Sequence, residues 1–296
     1  MGSRSVFFKR MSRAGFFFVL PALLFFILFN TYPMIYAFWV SLLDFDLITA
    51  AKFVGVKNYV FLLTDPVFWR SMWATAGYVI GTNVPIWFVS LGIALLLNRQ
   101  FRGRGFFRTI YFVPAIMSLV VISIIWKFMY HPYGLVNTLL SAVGLNKPFP
   151  WLTSTKLAPL AMIILSIWKG APYYAVIYLA GLETIPREYY EAGMIDGVNV
   201  FQRFRHITWP LLKPTTLFIV VISVLIGLRI FIPQKVLTGG GPAGVTRVVT
   251  LAVYETAFKF YRMSLATTMS IIMFVFIALF SVFQFRMFGE RRRAKA

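Results

Sequence analysis

The chain has 296 residues, of which 59% are hydrophobic and 13% charged, and its formal net charge is +20. With a mean hydropathy of +0.78, this composition excludes an ordinary water-soluble domain. The basic residues form short clusters between apolar runs, which argues against a nucleic-acid-binding protein, and the lack of cysteine excludes disulfides and thiolate metal sites.

Six apolar stretches are long enough to cross a bilayer, for which a helix needs about 20 predominantly apolar residues. The first stretch contains Pro21 and Pro33, which predict kinks because proline lacks the backbone donor. The pattern predicts an all-α membrane protein with six transmembrane helices in a single domain, residues 1–296. In chain order the stretches are 16–40, 73–97, 106–130, 157–179, 215–236 and 265–288.

The second stretch contains Gly77 and Gly81, a G-x-x-x-G pattern that allows two helices to approach closely. Packing within the chain is favoured over a contact between two copies. We therefore expect this stretch to lie against another helix of the same chain.

The distribution of basic residues predicts the orientation, because Lys and Arg are concentrated in cytoplasmic connections. Six spans place 17 of the 29 basic residues on one side of the membrane. Both termini and loop 181–214 are therefore predicted to be cytoplasmic, and loop 237–264 extracytoplasmic. The 17 residues are Arg4, Lys9, Arg10, Arg13, Arg99, Arg102, Arg104, Arg108, Arg187, Arg203, Arg205, Lys213, Arg286, Arg291, Arg292, Arg293 and Lys295.

The loop between the fourth and fifth stretches has the signals of two short helices. Pro186 suits the start of the first helix and Gly197 its end. Asn199 and Gln202 resemble a capping box that opens the second helix, and Pro210 predicts where it stops. The expected structure is a helix-turn-helix at the cytoplasmic surface, although an amphipathic hairpin lying on lipid headgroups has a similar composition.

The spacing within this loop resembles a family signature. It is similar to the EAA motif, E-A-A-x-x-x-G-x(9)-I-x-L-P, of the permease subunits of binding-protein-dependent ABC importers. The resemblance implies that the loop helices dock on an ATPase subunit and transmit its closure to the membrane-spanning helices. The positions assigned to this coupling role are Glu191, Ala192, Gly193, Asp196, Gly197, Ile207 and Pro210, with Gly193 in place of an alanine.

Further segments resemble the carbohydrate-uptake branch of this family, which includes the maltose, trehalose and glycerol-phosphate importers. They cover most of the chain and include F-V-G at 53–55, R-G-R at 102–104, G-L-V-N at 134–137 and L-T-G-G-G-P at 237–242. The resemblance implies a maltose-permease-like core of six transmembrane helices, with the coupling helix-turn-helix between helices 4 and 5.

The same resemblance implies a heteromeric complex in a bacterial or archaeal plasma (inner) membrane. The chain would be a multi-pass transport subunit rather than an enzyme. Its expected partners are a second homologous permease, two ATPase subunits, an extracytoplasmic binding protein that delivers a sugar or sugar derivative, and membrane lipids. No nucleic acid is expected.

No cofactor is expected on this chain. No glycine precedes a lysine, so the phosphate-binding motif G-x-x-x-x-G-K-[ST] does not occur, and ATP and Mg would be held by the ATPase subunits. The three consecutive glycines 239–241 leave one alternative open, a backbone nest for phosphate.

The candidate substrate pathway rests on polar and aromatic residues inside the spans. Arg229 is the sharpest candidate, because an intramembrane arginine costs at least ~2.5 kcal/mol on insertion scales unless it faces water, carbonyls or a counter-charge. Snorkelling of Arg229 and pairing with a partner chain remain alternatives, and Asn83 suits an interhelical hydrogen bond equally well. The full candidate set is Ser223, Gly227, Arg229, Gln234, Trp126, Trp168, Tyr173 and Asn83.

Two other functional classes are considered. A membrane-embedded enzyme acting on lipid-linked substrates would need clustered carboxylates or histidines, whereas the nine acidic residues are scattered and only His131 and His206 are present. An ion-coupled secondary transporter would normally bury a carboxylate for coupling, and every acidic residue here lies in a loop or near a span end.

Overall fold

The computed structural model describes residues 15–99, 102–145 and 147–289, and its regular structure is almost entirely helical. A short antiparallel pair joins β1 (Leu43–Asp44) to β2 (Lys52–Phe53). The helices are α1 (Gly15–Ser41), α2 (Lys57–Thr64), α3 (Pro66–Asn98), α4 (Arg104–Ile116), α5 (Leu119–Met129), α6 (Leu135–Ala142), α7 (Leu157–Glu183), α8 (Arg187–Ile195), α9 (Val200–Arg203), α10 (Trp209–Leu228), α11 (Ile232–Leu237), α12 (Val249–Phe258) and α13 (Met263–Gly289).

Within the described residues, five helical segments are each long and apolar enough to cross a membrane, and counting the bent pair α4 and α5 as one span makes six. The third predicted stretch is therefore not one straight helix, because α4 and α5 meet at 96°. Pro114 lies inside α4. Met117 and Ser118, which directly follow the end of α4, have extended ψ angles of 149° and 130°. Two consecutive extended residues end the helical ladder and redirect the chain.

The chain divides into two compact units. The first contains the described residues up to Thr64 together with Val253–Met273, and the second contains Asp65–Ala252 and the described residues from Phe274 onward. The single transmembrane domain stays a prediction.

In the first unit, a polar turn follows α1. The Asn58 side chain donates to the carbonyls of Ser41 (2.9 Å) and Leu43 (2.7 Å), which ties α2 to the end of α1. Asp46 accepts hydrogen bonds from the backbone N–H groups of Thr49 and Ile48, and these bonds hold the pKa of its carboxyl below its usual range. The turn is therefore stabilised at neutral pH and loses this contribution only as the pH falls through that lowered pKa.

In the second unit, α3 and α7 cross closely at two glycines. A Cβ on Gly81 of α3 would lie 2.6 Å from Ile163 Cδ1 of α7, and one on Gly170 of α7 would lie 3.1 Å from Ile86 Cδ1 of α3. Close packing of Gly81 within the chain agrees with the expectation from the G-x-x-x-G pattern, whereas a Cβ on Gly77 would meet no atom within 4 Å.

The main apolar core of the second unit continues from this crossing towards the α7 to α10 connection. Its buried members are Ile86, Leu91, Ala94, Tyr174, Tyr178, Leu179, Leu182, Ile185, Leu212 and Ile219.

Pro33 and Pro210 each follow a π-helical turn. π-helical turns at Ile27–Thr31 and Phe204–Thr208 each precede an aromatic-proline pair, and each proline lies in the first turn of the following α-helix. The N–H groups of Tyr32 and Trp209, just before the prolines, donate to the carbonyls of Ile27 and Phe204, and the helix continues past each proline. The prediction that Pro210 stops the second loop helix is therefore wrong, since the helical path continues from α9 through the π-turn into α10.

Replacing Gly81 with leucine should destabilise the protein, because the added side chain overpacks the α3 and α7 crossing at a cost of about 1–3 kcal/mol. Gly77→Leu is the matched control on the same helix, with open space around its Cβ. The measurement is the apparent melting temperature in detergent. Equal melting temperatures for the two variants would contradict the close crossing at Gly81.

Candidate functional site

The connection between α7 and α10 forms a hairpin of two helical arms, α8 and α9 with its π-turn. Gly197 joins the arms with a φ of +72°, a conformation that favours glycine. The predicted capping box is confirmed: the Gln202 N–H donates to Asn199 Oδ1, and the Asn199 N–H donates to Gln202 Oε1, both at 2.9 Å.

The arms pack together through small and branched side chains. Gly193 is buried, and a Cβ on it would lie 2.9 Å from Ile207 Cδ1 and 3.0 Å from Val198 Cγ2. The hydroxyls of Tyr190 and Thr208 add a hydrogen bond of 3.2 Å between the arms. Gly193 and Ile207 therefore hold the hairpin together from inside, and the small residue at 193 is required by its own second arm.

The outer surface of the hairpin carries the remaining signature residues and an apolar patch. Four apolar side chains flank the turn and are well exposed, with Ile195 at 87%. We call this patch the apolar tip; it consists of Met194, Ile195, Val200 and Phe201. The sequence signature did not identify it, although apolar residues on both sides of the polar turn 196–199 were a usable signal. The exposed signature residues are Glu191, Ala192, Asp196, Gly197 and Pro210.

The hairpin is attached to the membrane-spanning helices at the end of α7. Glu183, the last residue of α7, lies 3.4 Å from Arg108 Nη2 and 3.6 Å from Arg104 Nη2, both on α4. A Cβ on Gly181 would meet Thr215 Oγ1 of α10 at 2.6 Å. The start of α4 and the start of α10 are therefore both in contact with the chain just before the hairpin.

A second candidate region is a buried polar cluster around the middle of α3. The Tyr78 hydroxyl donates to Ser166 Oγ at 2.8 Å, with Thr82 and Gln234 beside it. We define the buried polar cluster as Tyr78, Thr82, Asn83, Trp87, Ser166, Ser223 and Gln234, drawn from α3, α7, α10 and α11.

The structure brings the predicted pathway residues Asn83, Ser223 and Gly227 together. A Cβ on Gly227 would lie 3.1 Å from Asn83 Nδ2, and the indole of Trp87 donates to Ser223 Oγ at 2.9 Å. A larger residue at 227 would therefore crowd the Asn83 amide.

Several polar atoms of the cluster make no hydrogen bond to the described residues. These atoms are Thr82 Oγ1, Asn83 Nδ2, and both Nε2 and Oε1 of Gln234. Leaving such a buried group unpaired costs about 1–3 kcal/mol. The arrangement therefore suits a polar ligand that supplies both donors and acceptors. The sequence predicted Asn83 and Gln234 but missed Thr82, which is adjacent to Asn83 and polar at the same depth of α3.

The L-T-G-G-G-P segment forms a hydrogen bond to the backbone carbonyl of Gln234. Gly239 and Gly240 have φ angles of +61° and +91°, and the N–H groups of Gly240 and Gly241 donate to the carbonyls of Gln234 and Thr238. Because these amides already donate within the loop, the alternative that the three glycines form a phosphate nest is not supported.

Arg229 lies at a break in the fifth predicted span. It is the residue that ends α10, and its side chain is exposed. The C-terminus of a helix favours a cation, which explains how a charge is tolerated here. After the break, Thr250 Oγ1 donates to the carbonyl of Ile230, so this freed backbone group is satisfied.

The predicted aromatic residues Trp126, Trp168 and Tyr173 do not line a single surface. Trp126 and Trp168 meet edge to face with ring centroids 5.5 Å apart, whereas Tyr173 contacts Tyr174. Trp168 and Tyr173 are five residues apart on α7 and therefore face directions about 140° apart. The tryptophan pair borders an apolar cavity of about 330 Å³ lined by Met117, Ile122, Ile125, Trp126, Met129 and Trp168.

Residues 88–293 match the family described as "Binding-protein-dependent transport system inner membrane component". The chain belongs to this family. This inner membrane component is thus a transport protein and not an enzyme, as the sequence predicted, and no group of three or more potential metal ligands occurs among its described residues.

Relatives of the inner membrane component align over nearly their whole length. It is 34% identical to the trehalose/maltose transport system permease protein MalF of Thermococcus litoralis, covering 96% of both chains. It is 35% identical to the lactose transport system permease protein LacF of Rhizobium radiobacter, covering 98% of this chain and 99% of that one.

The fold is similar to a chain in the crystal structure of a bacterial alginate ABC transporter in complex with an alginate pentasaccharide-bound periplasmic protein. The TM-score is 0.84 at 24% identity, and the match covers 97% of this chain and 98% of that chain. The predicted ABC importer permease fold is thereby confirmed.

Replacing Asn83 with leucine should leave stability unchanged or raise it, because the substitution removes an unpaired buried amide, yet it should reduce transport if that amide binds solute. Asn137→Leu is the control, since the Asn137 amide bonds the carbonyls of His131, Pro132 and Phe149, and its loss should cost about 1–3 kcal/mol. Melting temperature and uptake are measured for both. Uptake by Asn83→Leu equal to that of the wild type would contradict a role of Asn83 in binding solute.

Proposed function

We propose that this inner membrane component is the permease subunit of an ABC importer for a sugar or sugar derivative. With a second permease it forms the translocation pathway, and an extracytoplasmic binding protein delivers the solute. The observation that carries this proposal is the outward-facing EAA-type hairpin at the end of α7. The relatives that match over nearly their whole length are permeases of trehalose/maltose and lactose transport systems, which supports a carbohydrate solute.

The interior groups suit a polyhydroxylated solute. Sugars present apolar ring faces and hydroxyls that both donate and accept hydrogen bonds. The Trp126 and Trp168 pair supplies aromatic surface, and Asn83 and Gln234 supply unpaired amide groups. Helix α11, which carries Gln234, packs against α5, which carries Trp126. The pathway set is completed by Ser223, Gly227, Arg229 and Tyr173.

The apolar tip and the exposed signature residues form the docking surface for an ATPase subunit. Four exposed apolar side chains on a polar hairpin match the apolar centre and polar rim of a protein interface. ATP and Mg are bound by two such ATPase subunits, whose closure pulls the hairpin and, through α7, the spans. The hairpin and both termini are cytoplasmic in this arrangement.

A charge in the apolar tip should break this interface. Ile195→Asp is expected to lower co-purification of the ATPase subunit at least about tenfold, as for truncation of a central interface residue, while leaving the melting temperature of the isolated chain unchanged. Val143→Asp is the control, because Val143 is similarly exposed (74%) on a different part of the unit.

The outcomes of this pull-down are decisive for the hairpin. Retained co-purification by Ile195→Asp would contradict ATPase docking at the tip.

In proteoliposomes, uptake of labelled maltose, trehalose or lactose that requires enclosed ATP supports the importer, whereas uptake driven by an ion gradient without ATP would support a secondary transporter.

Arg229→Gln should lower the rate of uptake and raise the solute concentration for half-maximal uptake, because an exposed cation at the end of α10 faces the pathway in this proposal. Arg229→Lys should retain more activity, since it keeps the charge. Arg70→Gln, an exposed arginine in the first turn of α3, is the control. Loss of complex assembly in Arg229→Gln, with normal uptake per assembled complex, would instead indicate pairing with the partner chain.

A further inference from the structure

The bend between α4 and α5 leaves backbone carbonyls without helical partners. The last four carbonyls of any helix lack intrahelical donors, and in a membrane water does not replace them. Because Met117 and Ser118 are extended, the amide of Leu119 cannot reach the Ala115 carbonyl as it would in a continuous helix.

The side chain of Lys169 supplies the missing donor. Its Nζ lies 3.1 Å from the Ala115 carbonyl oxygen, and Lys169 is in the middle of α7 rather than at its end. A cation at a helix C-terminus is favoured by the helix dipole, and the polar bond reduces the cost of placing an ammonium group within a span. A lysine that follows a tryptophan is also typical of a membrane interface, whereas the structure gives Lys169 a partner inside the chain.

The neighbouring residue of α7 contacts the other limb of the bend. Trp168 packs against Trp126 of α5, while Lys169 binds the end of α4. Two consecutive residues of one helix therefore contact both limbs. Met117, at the bend itself, lines the apolar cavity with Trp126 and Trp168, so a change in the bend angle changes the cavity.

The start of α4 is also tied to α7, through the ion pairs of Arg104 and Arg108 with Glu183 immediately before the hairpin. Helix α4 is thus held to α7 at both of its ends, by charged or charge-assisted contacts. Helix α5 has the tryptophan contact, and the hydroxyl of Tyr130 at its end donates to the Ala161 carbonyl of α7 at 2.9 Å. Both limbs of the bend are therefore held against α7, and the Lys169 bond is the contact at the end of α4 next to the bend.

We propose that Lys169 is a positioning residue for transport: by binding the Ala115 carbonyl it fixes the end of α4 to α7 and so sets the bend at Met117 and Ser118. This bend gives the cavity beside Trp126 its shape, and without the Lys169 bond the end of α4 moves relative to α7. The transport part of this inference rests on the proposed importer function; the positional part does not.

The test uses the full chain assembled with its second permease and ATPase subunits in proteoliposomes. The variants are Lys169→Met, which keeps the aliphatic length and removes the donor, and Lys169→Arg, which keeps a cationic donor. Lys127→Met is the matched control, because Lys127 is exposed and follows the other tryptophan. Since this chain has no cysteine, spin labels on Ile110→Cys and Val121→Cys report the distance across the bend.

Lys169→Met is expected to broaden or shift the distance across the bend and to lower uptake about tenfold or more, the range for losing a hydrogen bond to a charged group, while ATP hydrolysis falls less than uptake. Lys169→Arg should restore both the distance and most of the uptake, and Lys127→Met should change neither. An unchanged distance in Lys169→Met, or equal losses in Lys169→Arg and Lys169→Met, would overturn the proposal.

The design separates two failures. If Lys169→Met does not assemble, the same distance is measured in detergent on the Lys169→Arg and Lys169→Gln chains, and an unchanged distance in Lys169→Gln overturns the proposal. If the wild-type complex shows no ATP-dependent uptake, the importer function fails, while the distance measurement still decides the role of Lys169.

Discussion

A helix that is interrupted inside a membrane needs a new partner for each backbone group that it frees, and this requirement explains much of the present structure. The chain meets it in different ways at different breaks. π-helical turns precede Pro33 and Pro210, and the helices continue past both prolines. The Lys169 ammonium donates to a carbonyl at the end of α4, and the Thr250 hydroxyl donates to the carbonyl after α10. These local solutions allow the spans to deviate from straight rods without losing stability.

The same interruptions bring chemically useful groups into the spans. The break after α10 places Arg229 at a helix end, where its charge is tolerated, and it starts the short helix that buries Gln234. The bend between α4 and α5 creates the cavity beside Trp126 and Trp168. A bundle of uninterrupted apolar helices would offer neither. Polar groups within the spans and helix breaks therefore depend on one another here, because the break supplies the space and the dipole end that a polar group requires.

The hairpin has two surfaces with separate roles. Its inner surface, where Gly193 meets Ile207, holds the two arms at a fixed distance. Its outer surface presents the apolar tip, with Ile195 almost fully exposed. Because Glu183 connects the base of the hairpin to α4, and the second arm continues directly into α10, a displacement of the tip is passed to α7, α4 and α10.

The sequence by itself determined the membrane environment, five of the spans, the capping box at Asn199 and the family, because hydropathy, cap chemistry and motif spacing are local properties of the chain. The tertiary structure alone decided that the third apolar stretch bends, that the helix continues past Pro210, and that Gly193 faces inward. It also decided the partner of Lys169, which lies 54 positions away along the chain. A lysine after a tryptophan has the same local pattern at a membrane surface and at a helix break, and only the position of α4 against α7 distinguishes the two.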